Sequence, residues 1–224
     1  APGLLLVCNA GEEGLGNLKG VRKICEDFDD RIERFCTFDS SLSSIVDRAV
    51  GSKRFRVRVR TRGGHSYDDF GNDNAIAGLA SLVGKLYGIR VPEGGKTTYN
   101  VGMISGGTSV NTIAQEAEML YEFRSDRREN LEYMERQFME VFDRAKAEGM
   151  DVSFKVIGVR PCEGQVDPEQ KQALTDWAHR VVEEMTGQAP EHHAGSTDCN
   201  IPLSLGIPSV CVGSFRGAGK KLSN

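Results

Sequence analysis

The chain has 224 residues, 39% hydrophobic and 27% charged, which suits one large domain or two small ones and excludes disordered or collagen-like chains. A formal net charge of -4 and a pI near 5.7 argue against nucleic acid or an anionic membrane as the main partner, because both favour basic surfaces. No apolar run approaches the roughly 18–20 residues that cross a bilayer, and no basic region leads into a signal-type core. The expectation is a soluble, cytoplasmic protein that takes a small molecule or peptide.

The sequence opens on Leu4-Leu5-Leu6-Val7-Cys8, which reads as a buried strand running to Asn9 with no preceding element to pair with, so a start inside a domain is expected. A Gly-containing turn, a helical segment near 18–28 and a strand over 35–39 follow. The turn holds Gly11-Glu12-Glu13-Gly14, placing two adjacent carboxylates after a strand, where open α/β sheets bind ligands. Such a pair can split roles, one group holding a cation and the other taking a proton from water; the alternative is an acidic surface turn. The glycines do not form GxGxxG, which disfavours a dinucleotide loop. Asp39 closes the second strand, either as a cap for the serines after it or as a second acidic ligand at the same sheet edge.

The middle of the chain is more regular. Residues 54–60 alternate, with Phe55, Val57 and Val59 on one face and Arg54, Arg56, Arg58 and Arg60 on a face expected to be solvated. Gly63-Gly64-His65-Ser66 then sets a histidine on a flexible turn, free to reach outwards. A helix is predicted over 74–87, with Ile76, Leu79, Ala80, Val83 and Leu86 as its apolar stripe and Gly88 as its stop. Strands over 98–104 and 117–125 flank Gly106-Gly107-Thr108, and a helix over 129–147 and a strand over 152–159 complete the set. Asn111 and Arg124 offer an amide and a guanidinium suited to a carboxylate or carbonyl, although Arg124 can equally pair with a surface acid such as Asp126. Strand, helix, strand, strand, helix, strand over 51–160 is the ferredoxin-like βαββαβ order.

The last part holds a helix over 168–185, a polar stretch over 191–200 expected as a pocket-rim loop, and an apolar run over 207–212. Its adjacent His192 and His193 point in different directions and seldom ligate one metal together. Strands alternating with helices in 1–50 and 161–224 predict an α/β layer with a largely parallel sheet, a partial catalytic domain interrupted by the inserted one. The six cysteines form no CxxC pair and are expected as buried, reduced thiols.

Gly11-Glu12-Glu13-Gly14, Asp39, Gly63-Gly64-His65-Ser66, Gly106 to Asn111 and Gly195-Ser196-Thr197-Asp198, in this order around a ferredoxin-like insertion, resemble the co-catalytic zinc metallopeptidase family of aminoacylase, carboxypeptidase G, dipeptidases and peptidase T. The resemblance covers that family's C-terminal part. It implies that Glu12 is the general base, Glu13 and Asp39 are zinc ligands, and His65 polarises the scissile carbonyl, commonly in the partner protomer's site. It also implies that Asn111, Arg124, Ser196 and Thr197 bind a peptide or amino-acid derivative, and that residues 51–160 form a lid that makes a homodimer. Aspartate at position 39 matches the aminopeptidase and dipeptidase branches.

The family's upstream His-x-Asp motif, bridging aspartate and final histidine have no counterpart in these residues. Zinc, two ions per site in the family, is therefore expected to be absent or weakly bound, and the 224 residues to be a truncated form, inactive or nearly so. A non-catalytic dimerisation or binding module and an N-acyl amino acid amidohydrolase are the alternatives.

Overall fold

The computed structural model describes residues 3–39 and 41–214. Their elements are α1 (Lys19–Phe28), β1 (Phe35–Phe38), β2 (Ser44–Ala49), β3 (Gly51–Arg60), β4 (Gly64–His65), α2 (Ala75–Tyr87), β5 (Thr97–Gly106), β6 (Thr112–Ile113) and β7 (Glu116–Ser125). After these come α3 (Arg128–Ala147), β8 (Asp151–Arg160), α4 (Pro168–Thr186), β9 (Glu191–Gly195), α5 (Asn200–Ser204) and β10 (Ser209–Val212). They divide into two units: Ser52–Val159, and the residues up to Gly51 together with those from Arg160 onward.

In the inner unit the period of two decides which side chains are buried. Phe55, Val57 and Val59 of β3 and Ala117, Met119, Tyr121 and Phe123 of β7 all lie in one core, since alternate residues of a strand share a face. The sheet order is β5-β7-β3-β8, with β5 and β7 antiparallel. Phe138 of α3 stacks on Phe55 at 4.2 Å between ring centroids and on Tyr121 at 5.7 Å, giving an aromatic cluster that holds α3 to the sheet. Asn74 caps α2, its Oδ1 accepting from the amides of Ile76 (2.9 Å) and Ala77 (3.3 Å). The buried stripe of α2 is Ala75, Leu79, Leu82 and Leu86, whereas Ile76 is exposed, so the stripe is rotated from the one expected.

The arginine face of β3 is not simply solvated. Arg54 pairs with Glu122 (3.1 Å), Arg58 with Glu118 (2.8 Å) and Arg60 with Glu116 (3.0 Å), so the neighbouring strand β7 supplies an acid opposite each. Sequence periodicity shows which face a residue takes but not which strand lies beside it.

In the outer unit the sheet order is β1-β10-β2-β9. The outer pairs β1/β10 and β2/β9 are parallel, and β10/β2 is antiparallel. The two faces of β2 feed two cores: Ile45 packs with Leu174, Ala178 and Val182 of α4, and Val46 with Cys199, Leu203 and Cys211. A register shift between Val46 and Arg48 leaves Asp47 on a bulge, from which its Oδ2 reaches His192 Nδ1 at 2.7 Å. His192 Nε2 in turn lies 2.9 Å from His179 Nδ1. With centroids 5.2 Å apart and rings inclined by 16°, the two imidazoles meet edge to edge, tying α4 to β9. Asp167 and Pro168 start α4 and left-handed Gly187 ends it, its amide donating to Glu183 O.

Three expectations need correction here. Residues 4–9 form no strand; Leu4 and Leu6 are 88% and 83% exposed, because an apolar run becomes a strand only where another strand pairs with its backbone. Residues 191–195, expected as loop, are strand β9, and β2 carried no recognised signal, its Asp47 and Arg48 interrupting the apolar run. Cys25, Cys162, Cys199 and Cys211 are buried free thiols, but Cys8 and Cys36 are exposed. Residues 216–224, where the family's final histidine is sought, lie outside the described ones.

Candidate active site

The acidic turn 11–14 sits between the irregular segment and α1. Gly11, at φ +80°, starts it, and its carbonyl accepts from the Lys19 amide (3.3 Å); Glu13 O accepts from the Gly16 amide (2.8 Å). Glu12 turns inwards and Glu13 is exposed. Arg160 holds Glu12 twice: Nη1 donates to Oε1 (2.9 Å) and Nη2 donates to the Glu12 carbonyl (2.6 Å). Nη1 also reaches Ser196 Oγ at 3.1 Å, so the structure brings Glu12 and Ser196 together through one guanidinium.

Beside them, Asn9 Nδ2 donates to Asp198 Oδ2 (2.9 Å). Burial raises the Glu12 carboxyl above its ordinary pKa, Arg160 pulls it back, and Glu13 and Asp198 push it up again, with a net rise. Asp198 is likewise raised: burial drives it up, Asn9 and Arg160 oppose, and Asp39 adds to the rise. Asp39 follows β1, its amide donating to Val212 O (3.0 Å) and its carbonyl facing the Cys211 thiol at 3.7 Å. Glu12, Asp39, Ser196 and Asp198 thus belong to one acidic locality in the outer unit.

Thr197 is buried and used within its own turn: its amide donates to Asn200 Oδ1 (2.9 Å) and its hydroxyl accepts from the Cys199 amide (3.2 Å). Its polar groups therefore shape the turn that presents Ser196.

In the inner unit, His65 and Asn111 come together. His65 pairs with Thr112 in the small β4/β6 ladder, and the Ser66 amide donates to Asn111 O (3.0 Å). The amides of Tyr67 and Asp68 lie 3.4 Å from His65 Nδ1, and Asp68 Oδ2 lies 3.3 Å from the same nitrogen. Arg124 lies near the end of β7, where its Nε donates to Glu122 Oε1 (2.8 Å).

Among the described residues no group of three or more His, Cys, Asp or Glu side chains is placed to hold a metal ion. Glu13 and Asp39 alone fall short of the three or four donors, imidazole among them, of a tight zinc site, so the described residues do not by themselves fit a zinc pair.

Residues 49–150 match the model of the peptidase dimerisation domain family. A homolog of a p-aminobenzoyl-glutamate hydrolase subunit, from Haemophilus influenzae, is 29% identical over 126 residues, 56% of this chain and 28% of that protein. Residues 49–150 are thus similar to the dimerisation domain of M20 peptidases. Two solved structures agree in fold. Aminopeptidase PepT of Bacillus cereus gives a TM-score of 0.70 at 23% identity, over 95% of this chain and 56% of that one. A tripeptidase of Staphylococcus aureus gives 0.71 at 22% identity, over 92% and 54%. The chain therefore spans 28% of the curated relative and a little over half of each of these solved chains.

Sequence reasoning missed Arg160, Asn9 and Asn200. Arg160 had a signal, as a cation ending an apolar strand directly before Pro161; Asp198 stood in the recognised motif but was passed over for its neighbours.

Proposed function

We propose that this chain forms the C-terminal part of a metal-dependent hydrolase of peptide or amide bonds, of aminopeptidase or dipeptidase type. The observation that carries the reading is the enclosed Glu12 carboxylate, raised in pKa, next to exposed Glu13 and within the same acidic locality as Asp39. A carboxylate of raised pKa is a better proton acceptor at neutral pH than an ordinary one. In this reading Glu12 takes the proton of the attacking water and Glu13 and Asp39 are metal ligands, with further donors needed beyond the described residues. Ser196 borders the substrate, Thr197 shapes its turn, and the Asn111 amide and the His65 imidazole are donors suited to a carbonyl oxygen. Arg124, paired with Glu122 and partly exposed, offers a guanidinium suited to a substrate carboxylate. The 224 residues alone are expected to turn over far more slowly than the protein in its natural length. A homodimer through residues 51–160 and a cytoplasmic location complete the proposal.

The test is a panel of free dipeptides and N-acyl amino acids, assayed with the natural-length protein with zinc supplied and with a chelator. Dipeptide cleavage that the chelator stops supports the reading. Cleavage of N-acyl amino acids alone moves the substrate to the amidohydrolase class. No cleavage of either, with dimers retained, favours the non-catalytic module.

A further inference from the structure

Arg160 is only 5% exposed, although it carries a full charge, and four acceptors of the candidate site share its guanidinium: the Glu12 carboxylate, the Glu12 carbonyl, the Ser196 hydroxyl and, at 3.5 Å, the Ser196 carbonyl. A buried cation must stay paired, because losing its partner leaves an uncompensated charge in a medium that solvates it poorly. That requirement fixes both the side chain and the backbone of Glu12. The forked, planar guanidinium can span two oxygens of one residue and a hydroxyl of another, which an ammonium cannot.

The turn on the other side of the fork is itself anchored. Asn200 is fully buried; its Nδ2 donates to Val50 O and to Pro161 O, both at 2.9 Å, and its Oδ1 accepts from the Thr197 amide. Val50 and Pro161 lie where the chain leaves and re-enters the outer unit, so one amide side chain joins both passages to the turn bearing Ser196. Pro161 also holds the backbone of Arg160 extended, restricting where the guanidinium can go.

We propose that Arg160 is the positioning residue of Glu12, fixing the acidic turn against the Ser196–Asp198 turn, and that Asn200 anchors that second turn to the two chain passages. The role rests on the reading of Glu12 as the general base. Arg160 does not touch the reacting atoms; it determines where the proton acceptor stands.

The test compares wild type, Arg160→Gln and Arg160→Lys in the protein at its natural length, by hydrogen exchange of peptides and by steady-state hydrolysis. In the Gln variant, amides of 9–17 and 195–200 are expected to exchange about tenfold faster, with 53–159 unchanged. Its kcat is expected to fall about a hundredfold, with KM within about threefold, the loss of an aligned base. Lysine keeps the charge without the fork and is expected to recover part of both, which also serves if the Gln variant does not fold. Unchanged exchange in 9–17 overturns the proposal. Faster exchange with unchanged kcat also overturns it, reducing Arg160 to a structural tie. A wild type that hydrolyses no amide sinks the reading of Glu12 instead, while the exchange data still decide whether Arg160 holds that turn.

Discussion

The two units bury their side chains by different means. The inner unit is held by a continuous apolar core in which Phe55, Tyr121, Phe123, Phe138 and Phe142 interlock, with its charges lined up in pairs on the other face of the sheet. The described residues of the outer unit form small apolar clusters, and between its elements the buried side chains of Arg160, Asp198 and Asn200 are bonded over long sequence distances, to Glu12, Asn9 and Val50. A core built by periodic patterning needs only local residue choice. A polar interior depends on partners far apart in the chain, and charges held out of water there interact more strongly.

The largest expected effect tests the apolar half of this contrast. Phe138→Ala removes the ring at the centre of the aromatic cluster and should cost about 3–5 kcal/mol. Urea unfolding followed by hydrogen exchange should show the loss in 52–159, while Trp177 on α4, the only tryptophan, reports little change in the outer unit. Equal losses in both signals would mean that the units unfold as one and the contrast is false.

Asn200→Ala is the polar counterpart. It leaves two carbonyls and an amide without their side-chain partner, and is expected to cost about 3 kcal/mol, read by Trp177 fluorescence in urea. A cost near that of a surface substitution would show that the anchor is dispensable.

The pH dependence of the inner unit gives a smaller effect. Burial by itself raises Glu122, but hydrogen bonds and charge from Arg124 and Arg54 outweigh it, and the net pKa is lowered. A depressed carboxylate contributes stability that is present above its unfolded value, near 4.5, and lost as pH falls through the folded value. Exchange in 52–159 should therefore accelerate as the pH is lowered below about 4.5, beyond the intrinsic rate change, and Arg54→Gln should weaken that dependence.

Thiol labelling gives the smallest effect on stability and the simplest readout. Cys8 and Cys36 are exposed at their surfaces, but the Cys36 thiol is shielded enough for burial to raise its pKa, so Cys8 should alkylate first. Cys211, pushed up to about 12 chiefly by burial, and fully enclosed Cys199 should react only after unfolding, as mass spectrometry of labelled peptides would show.

What the sequence disclosed follows the same division. Strand alternation at 54–60 and helical spacing at 129–147 lie close to β3 and α3, because each side of the pattern faces one environment. In the outer unit β2 combines Ser44 and the bulged Asp47 with apolar neighbours and so has no clean period, and β9 is Glu-His-His-Ala-Gly, a strand only because β2 pairs with it. The acidic turn marked Glu12 as a candidate with a surface turn as the alternative, and its role came only with the resemblance. Arg160, 148 residues away, was not readable, since nothing local marks which acid a distant cation will meet.

The most direct test of the central claim is the steady-state rate of Glu12→Gln against wild type in the natural-length protein, on the best dipeptide of the panel with zinc supplied. If Glu12 is the proton acceptor, kcat should fall at least about a hundredfold while KM and folding hold. Turnover within a few-fold of wild type would contradict the account, leaving the Glu12–Arg160 pair as a structural feature of the fold.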